Sequence, residues 1–214
     1  MLNNTTFRQN YQAADWYKSN LKVLVACSGG VDSTVLLHLL TEIHDLEISI
    51  VHFDHQLRGS ESDSDREFIK RVGADLGYPV HVVTEDIEAY AKLNDMSLEE
   101  AGSVRRRSAF MNLLDQLSYD YVATGQHVDD QIETILMNIY QGSGIQGLSG
   151  ISEWNGSFIR PLLGYTREEI NDYSKTHQLE YRTDQSNADI SFLRNNIRAN
   201  VIPALNADID HRLR

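Results

Sequence analysis

Short apolar runs alternate with helix-periodic segments along the chain, and this pattern predicts a parallel sheet flanked by helices. Each run is long enough for one buried strand and is followed by apolar residues at i, i+3 and i+4 spacing. The strands are predicted at residues 21–27, 47–53, 79–83 and 119–124. Strands that alternate with helices favour the doubly wound α/β class with a mostly parallel sheet.

The helices between the strands are predicted from their apolar periodicity and their capping residues. They are expected around residues 31–43, 60–77, 97–117 and 132–139. Ser97 followed by Glu100 has the capping-box pattern that marks a helix start, and Thr166 followed by Glu169 repeats it.

The chain after the last of these helices is predicted to differ from the alternating part. Residues 158–163 are expected to form an edge strand, because Pro161 has no N–H to donate to a central ladder. The residues after 163 are predicted to be helical. We therefore expect an N-terminal helical extension at 1–20, a core at 21–157 and a helical C-terminal part at 158–214.

Composition narrows the class of protein. The 214 residues include a single cysteine, which excludes an internal disulfide or a multi-cysteine metal site and favours a reducing compartment. No apolar stretch approaches the roughly 18 residues that span a bilayer, and the first 20 residues show no signal-peptide pattern. A cytoplasmic protein without a membrane partner is expected.

The net charge of −12 argues against a protein dedicated to binding nucleic acid. The acidic excess lies wholly in residues 1–157, whereas residues 158–214 are balanced in charge. A partner with phosphates would therefore meet the C-terminal part more easily.

The segment between the first strand and its helix predicts a phosphate-binding turn. Backbone N–H groups and the helix dipole converge on an anion at such a turn, and adjacent glycines allow close approach to the main chain. Serine hydroxyls add donors. The turn is neither GxxxxGK[ST] nor GxGxxG, and the alternative is a tight strand–helix turn without a ligand. Its residues are Ser28, Gly29, Gly30, Val31, Asp32 and Ser33.

Asp32 is the unexpected member of this turn. A carboxylate beside a phosphate is repulsive unless a cation lies between them, so Asp32 points to Mg²⁺ delivered with a nucleotide. The alternative is that Asp32 only accepts a hydrogen bond from an amide of the first helical turn.

A second cluster of charge begins the helix after the fourth strand. Asp129, Asp130 and Glu133 lie within about one helical turn, where like charges cost stability unless a cation is near. His127 lies just before the helix and could reach a nucleotide. Ligands of doubly wound sheets bind at these carboxyl ends of strands, although a solvated helix end would give the same pattern.

Two further segments carry weaker signals. The loop after the second strand supplies Asp54, His55 and Arg58, and it could equally be an ordinary polar loop. The run of three arginines at 105–107 cannot point one way on a helix, because its outer members are about 200° apart. At most one or two of them can face a site.

The hexapeptide at 28–33 resembles the signature of the PP-loop ATP pyrophosphatases, and the ordered series after it resembles the tRNA(Ile)-lysidine synthetases. The resemblance extends over about residues 20–205. Its further motifs are HFDHQLR at 52–58, an acidic-to-arginine helix at 99–110, HVDDQIET at 127–134, GSGIQGL at 142–148, RPLL at 160–163, DQSN at 184–187 and RNNIR at 194–198.

This resemblance implies a doubly wound PP-loop core at 21–157 and a two-step ligase reaction with ATP and Mg²⁺. The wobble cytidine of a CAU anticodon attacks the ATP α-phosphate and releases pyrophosphate. The ε-amine of free L-lysine then displaces AMP, leaving lysidine. The implied partners are tRNA(Ile) and lysine, and the family allows a homodimer.

The resemblance also assigns roles to residues. The implied ATP-binding residues are Ser28, Gly29, Gly30, Val31, Asp32, Ser33, Asp54, His55, Arg58 and His127, with Asp32 near the metal. The implied catalytic residues are Asp32, Arg106, Asp130 and Glu133. The residues implied to bind lysine or tRNA are Asp130, Glu133, Asp184, Arg194 and Arg198, with the division among them left open.

The sequence departs from the family pattern in one helix, and two alternative functions stay open. Ser103 stands where the family has an arginine, and Arg107 where it has an aromatic residue. One alternative is another PP-loop enzyme such as a tRNA thiolase, and Cys27 is the one cysteine that could take part in its sulfur transfer. The other is a nucleotide-binding module without ligase activity. NAD and GMP synthetases share the loop but not the later motifs.

Overall fold

A computed structural model describes residues 1–57, 59–182 and 193–204. Six strands form one sheet in the order β3-β2-β1-β4-β6-β5, parallel throughout except for β5. The strands are β1 (Leu21–Ala26), β2 (Leu46–Asp54), β3 (Val80–Thr84), β4 (Tyr121–Ala123), β5 (Trp154–Asn155) and β6 (Phe158–Ile159).

Helices cover both faces of this sheet, which confirms the doubly wound α/β class. The helices are α1 (Asn4–Ala13), α2 (Val31–Thr41), α3 (Ser60–Leu76), α4 (Ile87–Asn94), α5 (Leu98–Leu117), α6 (Val128–Tyr140), α7 (Arg167–Thr176) and α8 (Leu193–Asn196), which continues into a π-helical turn (Ile197–Val201). Side chains alternate along the strands, so Val23 and Val25 pack in the core under α1, α2, α3 and α7, and Leu24 packs under α4 and α5. No helix in the described ranges is long and apolar enough to cross a membrane.

The prediction of an edge strand at 158–163 is wrong. Strand β6 lies between β4 and β5, with Val122 opposite Phe158 in the register. It contains two residues and ends before Pro161, so the proline stands outside the ladder it would have interrupted. The edge is β5, which pairs antiparallel with β6.

Two helix predictions are confirmed in outline and differ in detail. At the start of α5, the Ser97 hydroxyl accepts a hydrogen bond from the Glu100 N–H at 3.2 Å, which is one half of a capping box. Helix α6 forms where its apolar spacing predicts, but Ile132 and Ile139 of that spacing are exposed. Its fully buried side chain is Glu133.

Candidate functional site

A cavity of about 560 Å³ opens at the carboxyl ends of β1, β2 and β4. Strand order reverses between β1 and β4, and doubly wound sheets bind their ligands at such a point. The predicted site residues that line the cavity are Ser28, Gly30, Val31, Asp32, Ser33, His55, Arg106, Asp130, Arg194 and Arg198. Arg58 and Asp184, with the rest of the DQSN motif, lie outside the described residues.

The turn between β1 and α2 has the geometry of an anion-binding loop. Gly29 has a φ of 91°, a left-handed conformation that side chains other than glycine rarely adopt. Gly30 is the N-cap of α2 and leaves the helix without a side-chain cap. The Ser33 hydroxyl braces the turn from inside, because it accepts from the Ser28 N–H at 3.2 Å and donates to the Gly30 carbonyl at 3.0 Å. The uncapped first-turn amides of α2 suit an anion.

Only one of the two carboxylate oxygens of Asp32 has a hydrogen-bond partner among the described residues. Its Oδ2 accepts a hydrogen bond from Arg167 Nη1 at 3.0 Å. Its Oδ1 is buried and has no hydrogen-bond partner among the residues described, and the nearest His127 nitrogen lies 3.7 Å away. Burial raises the pKa of Asp32, while Arg167 and then His127 oppose that rise. An orphaned buried carboxylate oxygen fits a metal ligand such as one for Mg²⁺.

His127 does not border the cavity. The ring is buried and caps α6, where its Nδ1 accepts from the Asp129 N–H at 3.3 Å. The backbone N–H of His127 donates in turn to Asp130 Oδ2 at 3.0 Å, which completes a capping box. The imidazole therefore fixes the helix that carries the acids, and nucleotide contact by His127 stays a prediction.

The cations near the three acids of α6 come from the chain itself. Arg198 Nε donates to Glu133 Oε1 at 2.6 Å, and its Nη2 donates to Oε2 at 3.1 Å. Arg194 Nε lies 3.4 Å from the same carboxylate. Glu133 is fully buried beneath these two arginines, so Asp130 is the acid of α6 that borders the cavity.

The arginine run of α5 divides as its helical spacing predicts. Arg105 pairs with Glu85, with Nη2 to Oε1 at 2.9 Å, and Arg107 lies 5.1 Å from the centre of the Phe158 ring. Arg106 lines the cavity between them. Burial, and then repulsion from Arg194, lower the pKa of Arg106.

The loop after β2 brings one of its predicted side chains to the cavity. His55 lines it, while Asp54 is buried and bonded to Arg66 Nη1 at 3.2 Å. Gly102 of α5 leaves room for His55, because a Cβ there would lie 3.2 Å from two atoms of the imidazole. The structure therefore gives Asp54 an intramolecular partner, and its place in an ATP site stays a prediction.

Two arginines that shape the site were not among the residues predicted from the sequence. Arg167 lines the cavity and pairs with Asp32; the available signal was a basic residue in the first turn of a helix, where the dipole favours acids. Arg160 is buried and donates to Gln126 Oε1 at 2.7 Å and to the Ser152 carbonyl at 2.6 Å. It thereby holds Gln126 at the cavity wall.

If the turn at 28–33 binds the phosphates of ATP, as the resemblance implies, Gly125→Ala should weaken ATP binding about tenfold, because the methyl group would press on that turn. An added Cβ would lie 3.1 Å from the Asp32 carbonyl carbon and from the Ser33 nitrogen, which are backbone atoms that cannot rotate away. Titration calorimetry with ATP measures the effect. Gly164→Ala is the matched control, because a Cβ there meets nothing within 4 Å. Equal ATP affinity in the two variants would contradict the prediction.

Comparisons with known proteins agree with this geometry. The family model for the PP-loop domain matches residues 3–205. The chain is 39% identical over 194 residues to a tRNA(Ile)-lysidine synthase of Chlorobaculum tepidum, covering 89% of this chain and 59% of that protein. It is 41% identical over 184 residues to one of Porphyromonas gingivalis, covering 86% and 40%. The chain thus spans about half the length of these curated relatives.

Solved structures share the fold at low sequence identity. The U34-tRNA thiolase NcsA of Methanococcus maripaludis, solved with its [4Fe-4S] cluster, superposes with a TM-score of 0.71 at 20% identity, covering 91% of this chain and 69% of that chain. The NH3-dependent NAD synthetase of Campylobacter jejuni gives 0.55 at 17% identity, covering 98% and 89%. The family match over nearly the whole chain establishes that the chain belongs to the PP-loop domain family.

Proposed function

We propose that this chain is the catalytic part of a tRNA(Ile)-lysidine synthetase, a ligase that joins L-lysine to the wobble cytidine of a CAU anticodon at the expense of ATP. The observation that carries the proposal is that three features border one cavity. They are the glycine turn without a side-chain cap, Asp32 with one unpartnered carboxylate oxygen among the described residues, and Arg106. Similarity to the curated synthases supports the choice of substrates. In this proposal residues 21–157 form the nucleotide-binding core, 158–214 complete the catalytic domain, and the protein works in the cytoplasm.

The first step is adenylation of the cytidine. Its O2 attacks the α-phosphorus, a P–O bond forms, and the bond to the β-phosphate breaks so that pyrophosphate leaves. The amides of the first turn of α2 would hold the phosphates. Arg106 would stabilise the charge that develops on the α-phosphate, which is the usual electrostatic task of an arginine in phosphoryl transfer.

Asp32 would hold the magnesium ion that accompanies the nucleotide. Bound there, Mg²⁺ would neutralise charge on the phosphate oxygens. Within the described ranges, no group of three His, Cys, Asp or Glu side chains is arranged to hold a metal by itself. A single carboxylate suits a cation that reaches the site with nucleotide phosphates as its other ligands.

The second step is attack of the lysine ε-amine on C2 of the adenylated cytidine, with AMP as the leaving group. The incoming lysine is cationic, and Asp130 is the acid at the cavity wall that can receive its ε-ammonium group and take up the proton this group must lose before the neutral amine forms the C2–N bond. Glu133 would act through the arginines that cover it, by holding Arg194 and Arg198 at the wall. These arginines would meet the anionic phosphate or the lysine carboxylate.

The thiolase alternative has no support in the chemistry of the one cysteine. Cys27 is buried, and burial is the first cause of the raised pKa of its thiol. A sulfur carrier needs an accessible thiol of lowered pKa. The thiolase that superposes on this chain is 20% identical and therefore supports the shared fold alone.

An ATP–pyrophosphate exchange assay tests the proposal. The protein is incubated with ATP, labelled pyrophosphate and a tRNA(Ile) transcript with the CAU anticodon. The control transcript differs by uridine at the wobble position. We expect exchange that requires the CAU transcript. ATP binding without exchange would favour the nucleotide-binding module instead, and exchange without tRNA would overturn the cytidine as the adenylated group.

A further inference from the structure

Arg167 lies at the centre of the charged site without an assigned role. It is the first residue of α7, lines the cavity, and donates from Nη1 to Asp32 Oδ2 at 3.0 Å. The same nitrogen lies 3.5 Å from His127 Nε2. The Arg167 backbone N–H donates to Asp129 Oδ2 at 2.9 Å, which anchors the start of α7 on the start of α6.

The needs of helix α7 do not explain an arginine at this position. The positive end of the helix dipole disfavours a cation in the first turn. Helix α7 already has a complete capping box from Thr166 and Glu169. The Arg167 side chain is 39% exposed, so burial in the core does not explain it either. Its contact with Asp32 is therefore the feature that accounts for its place.

Arg167 competes with a divalent cation for Asp32. It occupies Oδ2 while Oδ1 stays buried and unpartnered among the described residues. A cation of charge +2 on this carboxylate would repel a guanidinium 3.0 Å from the same group. A guanidinium released from Asp32 would face the phosphate region of the cavity, and its planar fork binds phosphate well.

We propose that Arg167 is an exchangeable counter-ion: it neutralises Asp32 before a divalent cation binds, and it transfers to the nucleotide phosphates when the cation takes Asp32. This inference deepens the proposed function, and the transfer of Arg167 to nucleotide phosphates rests on that function. Arg198 and Arg182 also line the cavity, but Arg198 pairs with Glu133 and Asp130, and Arg182 pairs with Asp65. Arg167 is the cavity arginine whose partner is the residue suited to the metal.

Two binding measurements on the full chain test this exchange. Mn²⁺ replaces Mg²⁺ as a paramagnetic probe, and free Mn²⁺ is counted by electron paramagnetic resonance. In Arg167→Met without nucleotide, we expect Mn²⁺ to bind about tenfold more tightly, because its competitor is gone. A non-hydrolysable ATP analogue, titrated calorimetrically with saturating Mn²⁺, should bind about tenfold more weakly, because a charge-assisted phosphate contact is lost.

The control variant is Arg105→Met, which removes the same charge from the same kind of ion pair outside the cavity. It should leave both affinities at the wild-type value. Arg167→Lys should retain part of the analogue affinity, and Asp32→Asn combined with Arg167→Met should abolish the gain in Mn²⁺ affinity. Thermal melting verifies that each variant is folded.

The outcomes separate this inference from the proposed function. Unchanged or weaker Mn²⁺ binding in Arg167→Met would overturn the competition with the metal. Unchanged binding of the analogue would overturn the transfer to phosphate. If wild-type protein binds the analogue but shows no tRNA-dependent exchange, the ligase proposal fails while the Arg167 measurements can still succeed.

Discussion

Asp32→Asn is expected to abolish adenylation while leaving the fold intact. The variant keeps the shape of the side chain and removes the charge that a metal ion would need. Loss of one preorganised electrostatic group costs on the order of 10²- to 10³-fold in rate, and loss of the metal ligand adds to that. The tRNA-dependent exchange of pyrophosphate into ATP measures the effect.

The stability of the same variant provides an independent control. Burial raises the pKa of Asp32, so the folded protein bears a cost for the ionised form. Asparagine removes this cost, and the midpoint of thermal unfolding should stay constant or rise. Asp63→Asn, at an exposed ion pair with Arg66, should leave exchange unchanged. Near-wild-type exchange in Asp32→Asn would contradict the proposal that this cavity is the site of adenylation.

Glu133→Gln should have the second largest effect, on both stability and the lysine step. The substitution leaves Arg194 and Arg198 without the carboxylate that both contact. Breaking a fully buried pair costs about 3–5 kcal/mol. Because the Arg198 side chain is 37% exposed, solvent screening reduces this, and we expect a loss of about 2 kcal/mol in the free energy of unfolding. Urea titration measures it.

The catalytic consequence of Glu133→Gln should be uneven between the two steps. In the proposed mechanism adenylation depends on the turn and Arg106, whereas the position of the two arginines at the cavity wall depends on Glu133. AMP-linked tRNA should therefore accumulate and lysidine should form slowly, as followed with labelled ATP. Glu168→Gln, at an exposed position of α7, is the control. A parallel loss in both steps would argue against this division of roles.

Local patterns in the sequence predicted most of the sheet, because each of β1 to β4 is a short apolar run with a helix after it. They could not place β6, because the neighbours of a two-residue strand depend on pairing with β4 and β5. They also could not show that two apolar positions of α6, Ile132 and Ile139, are exposed while Glu133 is buried. The partner of the buried Glu133 is Arg198, which lies 65 positions away in the chain.

The candidate site shows the same limit. The motifs identified the turn at 28–33 and the acids of α6, because the residues of each motif are close in the sequence and therefore close in the fold. The identity of their counter-charges was not predictable from spacing. Arg167 lies 135 positions from Asp32, and only the folding of α7 against α6 brings the two together.

The close approach of Gly125 to the Asp32 backbone restricts how this protein can diverge. The loop that contains Gly125 packs its main chain against the first turn of α2, so these two segments form one body in which neither can shift without the other. New substrate preferences are therefore expected to arise from changes in α5 and in the segment around α8, whose side chains reach the cavity from outside that body. A directed-evolution library confined to those two helices should recover more active variants than one aimed at the loops.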